Sequence, residues 1–594
     1  MHNKKWFVRS LVAIAVLAAA FAAGSVQVAG AFNPNQGGED GICGVSQAPP
    51  EDQVCNSSEI APVPSTDDGN GNNNPQPGYH DNGRGGNTFV NDPCLDPPPP
   101  TRQRTVQSET EIATFGKYMV AGYNDSFGFY NSNQGLSGVA YSVNGGNTWI
   151  DQGGLPPINR AGAPLGTPGQ DTYEGDPVIV VDKTARTFTT GTPATAAPQD
   201  AGEFYYASIY HLPDGTDSLA VNRGHFAVAP PQNTESVSNT SCLNGKRPFG
   251  TPDTTNLPSE RIVWQKPVVA VPVVDPGDFL DKEWLYVSQA TGELYLTYTR
   301  FGSDGSTPLE MVRSFDGGRT WSPPTVIVPN LSDTFNQATQ PTQTSTGRLI
   351  VTWQAQTFAA NGSGPESDDR IEYAYSDDDG VTWTPPKVIQ HVNPQGEPNG
   401  YNRGRRSILN APYINTYPHG TDVYIAYFNG KTPLQQSPGV IFTGPLAKQA
   451  DIYVASSHDN GATFTPVKVN DDAGVTSHVF PTVQVDKHGD VYASWLDRRN
   501  DPANELTDAW ANVSKDGGLT WGHDKLQTDV ATSWRVRADA RPNMGDYNSS
   551  ELLNDNQFVM IWNDGRFPPP APTPQAATPD SIFTIATGLG NGNG

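Results

Sequence analysis

The chain has 594 residues, 62 of them acidic and 37 basic, for a net charge of −25 at neutral pH. That excess of acid argues against a nucleic-acid or anionic-membrane partner, since both need basic patches. Gly (60) and Pro (53) are abundant and charged residues reach only 17%, a balance that suits many strands joined by turns, with 10% aromatics to fill a β core.

Taken in chain order, the first feature is a targeting segment. Lys4, Lys5 and Arg9 precede an apolar run from Leu11 to Ala23, and Ala29-Gly30-Ala31 is a small-residue cleavage signal. Residues 1–31 read as a secretory signal peptide cut before Phe32. The run is too short to span a bilayer, and no cysteine follows the cut to carry a lipid. The expectation is a secreted protein (periplasmic in a Gram-negative bacterium) with no membrane insertion.

From residue 32 to 104 the composition is Asn, Gly, Asp and Pro, as in "STDDGNGNNNPQPGYHDNGRGGN". Such a segment buries too little apolar surface to order itself and reads as a disordered leader. It holds three of the four cysteines. Pairing Cys43 with Cys55 and Cys94 with Cys242 is one of three possible connectivities.

The folded body is expected over residues 105–589, with a flexible tail at 590–594. Short apolar runs alternate with turn signals, and no long helical periodicity occurs. The unit is clearest in "PTVQVDKHG", "DVYASWLD", "DAWANVS" and "KDGGLTWGHDKLQT": four strands joined by short turns, hence one antiparallel blade. First strands recur near Glu109, Glu174, Glu283, Gln340, Asn410, Phe480 and Asp546. The period predicts an all-β propeller of four-stranded sheets, with seven blades favoured and six if one weak unit is a decoration.

Five turns share a pattern: "SVNGGNTW" at Ser142, "SFDGGRTW" at Ser314, "SDDDGVTW" at Ser376, "SHDNGATF" at Ser457 and "SKDGGLTW" at Ser514. Asp or Asn at the third position can accept hydrogen bonds from its own turn, and Gly at the fifth supplies positive φ. The terminal aromatic is expected to bury its ring at the blade's outer edge. Calcium binding is a poorer explanation, since an EF-hand counted from Asp377 would need Glu where Val388 stands.

These turns resemble Asp boxes, and the chain is similar to the Asp-box (BNR-repeat) propellers of the sialidase/neuraminidase superfamily. The resemblance implies that the turns lie opposite a binding funnel, whose ligand is an extracellular glycan or glycoconjugate. Starts of first strands and ends of second strands would line that funnel. They supply Glu109, Glu111, Glu174, Asp176, Asp281, Glu283, Asp546 and Tyr547, then Asp125, Arg300, Asp497, Arg498, Arg499, Asp564 and Arg566.

By the same resemblance, a catalytic role would fall to Tyr547 as nucleophile, Glu283 or Glu174 as its base, and Asp281 or Asp176 as proton donor. Arg300, Arg498 and Arg566 would clamp a substrate carboxylate. The Arg-Ile-Pro motif that opens the first blade of catalytic sialidases is replaced here by "SETEIATFG". The arginines of "LDRRN" and "NDGR" have a second reading, pairing with the adjacent Asp to brace neighbouring blades. Two functions stand side by side: a glycan-binding module, and an exo-sialidase-type glycoside hydrolase. Related propellers also include endo-glucanases that use two Asp and lyases that use His and Tyr, for which His211, His225 and His478 leave room. No metal or cofactor is assigned, and GxSxG, HExxH and GxxxxGK[ST] are absent.

Overall fold

A computed structural model describes residues 79–81, 86–96, 107–127, 135–158, 171–184, 202–329, 334–357, 368–392, 413–416, 420–430, 450–533, 545–566 and 580–589, with short gaps at 215, 274, 276, 474–475, 503–505 and 555–556. The signal peptide, most of the leader, Cys43, Cys55 and the tail lie outside these residues.

Seven antiparallel sheets form seven blades. Blade 1 comprises Gln107–Phe115, Tyr118–Asp125, Ser137–Ser142 and Ile150–Gly154, and blade 2 Thr172–Asp182, Glu203–His211, Asp217–Val228, Glu260–Trp264 and Val268–Pro272. Blade 3 comprises Phe279–Val287, Leu294–Phe301, Leu309–Ser314 and Thr325–Val328, and blade 4 Thr334–Gln343, Leu349–Thr357, Asp368–Ser376 and Lys387–Val392. Blade 5 comprises Tyr413–Thr416, Val423–Gly430, Ala450–Ser457 and Thr465–Lys468. Blade 6 comprises His478–Val485, Val491–Asp497, Leu506–Ser514, Lys525–Leu526 and Val530–Ser533. Blade 7 comprises Ser549–Leu553, Gln557–Asp564 and Asp580–Ile585. Each first strand contacts the first strands of both neighbours, and the blade 7 strand returns to the blade 1 strand, so the ring closes. Second strands such as "LYLTYTRF" are buried on both faces because a blade packs on each side.

The outermost strand of blade 7 comes from the other end of the chain. Thr88–Phe89 pairs with Ile582 and Phe583, and Tyr79–Asp81 likewise edges blade 6. Val90, Asn91, Asp92 and Cys94 are fully buried, so residues 86–96 belong to the folded body and not to a disordered leader. The insertion of blade 2 behaves similarly, since Ser236–Val237 adds a fifth strand to blade 1. Cys94–Cys242 joins these two borrowed segments, and Arg247 donates two hydrogen bonds to the buried Asp92 carboxylate at 2.6 and 2.7 Å. The segment is poor in apolar residues, yet edge pairing, a disulfide and an ion pair order it.

The five repeated turns are built alike. The first-position Ser hydroxyl donates to the third-position Asp or Asn at 2.7–3.0 Å and accepts the fifth-position Gly N–H at 2.8–3.0 Å. The same Asp or Asn oxygen accepts the seventh-position Thr N–H at 2.8–2.9 Å. The aromatic does not simply cap its own blade's edge. Trp149 of blade 1 meets Phe583 of blade 7 edge-on at 5.3 Å, and Phe464 of blade 5 meets Tyr373 of blade 4 at 4.9 Å. Each turn is therefore a staple to the preceding blade. Turns between first and second strands share its face, as where Arg348 donates to the Asn460 carbonyl at 3.1 Å. Strand alternation then leaves first-strand starts on the opposite mouth of the ring.

Candidate functional site

At that mouth five first strands carry the same irregularity. The register slips after Ser108, Gly175, Asp281, Gln337 and Val479, and the bulge contains a non-glycine residue with left-handed backbone. These are Glu109 (φ 53°), Asp176 (54°), Lys282 (53°), Ala338 (63°) and Phe480 (54°). Such conformations cost on the order of 1–3 kcal/mol each, and they re-aim the side chain at the bulge. The outcome is visible in blades 1, 2 and 3, where the three charged residues come from separate sheets and meet.

Lys282 is their centre. Its Nζ lies 2.6 Å from Asp176, 3.0 Å from Asp546, 3.6 Å from Asp281 and 3.9 Å from Glu109, so four blades supply one ammonium's surroundings. Burial opposes its charge, but the four carboxylates outweigh burial and hold the ammonium well above its ordinary pKa. Asn124 donates to Glu109 Oε2 at 2.7 Å and accepts the Asp176 N–H at 2.9 Å, while Glu109 Oε1 accepts the Asp546 N–H at 3.1 Å. Gly175 and Gly545 precede the two aspartates because nothing larger fits. A Cβ there would stand 2.6 Å from Asn124 Oδ1 and 2.4 Å from Glu109 Cγ, respectively.

The environment drives neighbouring acids apart. Burial, then the charge of Asp176, pushes Glu109 well above the usual carboxyl range. Asp176 is also penalised by burial, yet the Lys282 ammonium and a hydrogen bond from Glu109 hold it below that range. The pocket thus favours a proton on Glu109 over one on Asp176. Glu283 is only 2% exposed, both its oxygens lack a hydrogen-bond partner among the described residues, and burial, then Asp176, raises its pKa. Asp281 and Asp176 are the more open members, with side chains 23% and 14% exposed.

Of the residues expected at the funnel from sequence, Glu109, Asp176, Asp281, Glu283 and Asp546 join this cluster, and Tyr547 lies beneath it. The Tyr547 hydroxyl donates to the Pro177 carbonyl at 3.0 Å, its ring meets Trp284 at 5.6 Å, and burial, then Glu109, raises its pKa. Glu174 stands apart, 3.2 Å from His211 Nδ1. The three arginines have separate engagements. Arg300 contacts Asp278 and Glu310 at 2.9 and 3.0 Å. Arg498 is fully buried, with Nε donating to Thr507 at 3.0 Å. Arg566 holds Asp564 at 2.6 Å and also Asp529, while its neighbour in type, Arg499, holds Asp497 at 2.8 Å and Asp524 at 2.6 Å. Arg499 and Arg566 brace blade edges, as the second reading of their motifs expects. Lys282 was missed among the acids of "DKEW", where the signal was a lone cation between two acids at a strand start.

No family model matches the chain, and no curated protein matches it. Solved structures do. The chain is similar to Trypanosoma rangeli sialidase bound to the inhibitor DANA, with 13% identity over 70% of this chain and 56% of that one and a TM-score of 0.38. It is similar to an α-L-arabinofuranosidase from Fusarium graminearum bound to an iminosugar inhibitor, with 10% identity over 85% and 99% of the two chains and a TM-score of 0.39. A Dyadobacter fermentans protein described as of unknown function gives 17% identity, 53% and 80% coverage and a TM-score of 0.34. The chain thus spans little more than half the length of the trypanosomal sialidase. A groove of about 400 Å³ also lies beside the turn of blade 6, lined by Trp521 and His523, well removed in sequence and sheet from the Lys282 cluster.

Proposed function

We propose that this chain is a secreted Asp-box propeller of sialidase-like type that recognises a glycan at the mouth of its central channel. The observation that carries the reading is the convergence of Glu109, Asp176, Asp281 and Asp546, from four blades, on Lys282. Carboxylates and an ammonium fixed on strand starts make a rigid array of acceptors and donors for sugar hydroxyls, with Asp281 and Asp176 as the contact edge. Export fits a chain with a disulfide and no helix among the described residues long and apolar enough to cross a membrane. Isothermal titration against a panel of neutral, cationic and anionic oligosaccharides tests the reading. It expects saturable binding that Asp281→Asn weakens at least tenfold with an unchanged melting temperature; no binding across the panel would overturn it.

One observation favours a second reading, glycoside hydrolysis. Burial raises the Glu109 carboxyl while the Lys282 ammonium, 2.6 Å away, lowers Asp176, the kind of split between two carboxyls that acid–base cleavage of a glycosidic bond uses. Glu109 would give its proton to the leaving oxygen as the glycosidic bond breaks, and Asp281, on the open side, would take a proton from the water that bonds to the anomeric carbon. The Arg-clamped sialoside version gains no support, because Arg300, Arg498 and Arg566 already hold partners where they stand. Turnover of an aryl glycoside lost in Glu109→Gln at every pH, with binding retained, would establish hydrolysis over recognition alone.

A further inference from the structure

We infer that Phe279 is a stacking platform beside the Lys282 cluster, so that the glycan at the mouth is an oligosaccharide with one ring at Asp281 and the next laid on Phe279. The inference rests on the glycan reading and names the ligand's size and the residue that selects it.

Phe279, Leu280 and Asp281 open the first strand of blade 3. Strand alternation sends Leu280 to one face, where it joins a core shared with Val178 and Tyr205 of blade 2. Phe279 and Asp281 take the other face, and both are half-buried where Leu280 is fully buried. Two residues of strand separate them by about 7 Å, a step that two linked sugar rings cover.

The Phe279 ring is held in place. It lies parallel to Phe301, at 5° and 4.5 Å between centroids, and Phe335 of blade 4 backs Phe301 at 6.0 Å. Phe301 and Phe335 are buried, so Phe279 is the member of this column that reaches solvent. Phe301 covers one of its faces, and no ring covers the other among the described residues. The face of an aromatic ring is electron-rich, and one face of a pyranose presents C–H groups of the opposite polarity, so the two stack. Asp281 offers directed hydrogen-bond acceptors and Phe279 offers flat apolar area. A single sugar at Asp281 uses the first alone; a chain of two uses both.

Titration of the whole chain with cellotetraose, N-acetylchitotetraose and sialyllactose, each beside the methyl glycoside of its terminal sugar, tests this. For each saccharide that binds, the inference expects the oligosaccharide to bind at least threefold tighter than its single sugar. Phe279→Ala and Phe279→Leu should both erase that advantage and Phe279→Tyr should keep it, with single-sugar affinity and melting temperature as in wild type. Leu preserves apolar bulk without a ring face, so the Leu and Tyr variants decide the matter even where Ala fails to fold. An oligosaccharide advantage that is absent, or that survives in Phe279→Leu, overturns the inference and leaves glycan recognition standing. Failure of every saccharide to bind overturns both.

Discussion

At the scale of single residues, Lys282 and His211 show how this acidic chain buries charge. Lys282 is nearly enclosed, and Lys282→Met would remove the ammonium that lies 2.6 Å from Asp176 and 3.0 Å from Asp546, a loss of about 3–5 kcal/mol expected in urea unfolding at neutral pH. His211 sits between Glu174 and Asp217. Burial opposes its charge, yet Glu174 and then Asp217 lift its pKa to about 10. A raised pKa stabilises the fold in full below the unfolded value of about 6.5 and is lost as pH climbs through about 10. The stability gap between wild type and His211→Gln should therefore shrink from pH 6.5 towards pH 10 in denaturant titrations; a gap that grows over that window would refute the assignment. Glu109, Asp176, Asp281, Glu283 and Asp546 were legible because acids at strand starts face the axis once blades are counted. At second-strand ends Arg499 and Arg566 each find an Asp two residues earlier, the alternative their motifs already offered; placing both side chains decided between that pairing and a clamp.

At the scale of one element, the repeated turn separates two glycine positions that look alike on paper. Positions four and five both have positive φ, but Asp379 and Asn460 occupy the fourth while the fifth is always Gly. The difference is the preceding blade. A Cβ on Gly146 would lie 2.3 Å from Phe583 and one on Gly461 2.3 Å from Ile350, whereas one on Gly145 meets nothing closer than 3.8 Å. Gly146→Ala should cost about 1–3 kcal/mol by overpacking a strained position, and Gly145→Asn less than about 0.5 kcal/mol, as read from urea midpoints. Ser314→Ala, which removes the acceptor of the Gly318 N–H, should cost about 1–2 kcal/mol in the same assay. The turn's internal bonds were legible from Ser, Asp, Gly and Thr, since all are local. The direction of the ring was not, because Trp149 finds Phe583 only after the two ends of the chain have met.

At the scale of the molecule, the blade count was legible because each blade repeats its own strand and turn grammar. The role of residues 86–96 was hidden, since Asn, Gly and Pro there promise no core and their partners lie at the far end of the sequence. Replacing Cys94 and Cys242 by Ser should lower unfolding free energy by about 5 kcal/mol if loop entropy governs, a shift that calorimetry would register. Thr88 reaches a carbonyl 495 positions later, and that distance sets the order of assembly. An emerging polypeptide holds Thr88–Phe89 in waiting until nearly the whole chain has appeared, so the last blade cannot be finished during synthesis. Under the export proposed above, this order would keep the chain threadable while it crosses and lock it only on the far side, where cysteines can oxidise.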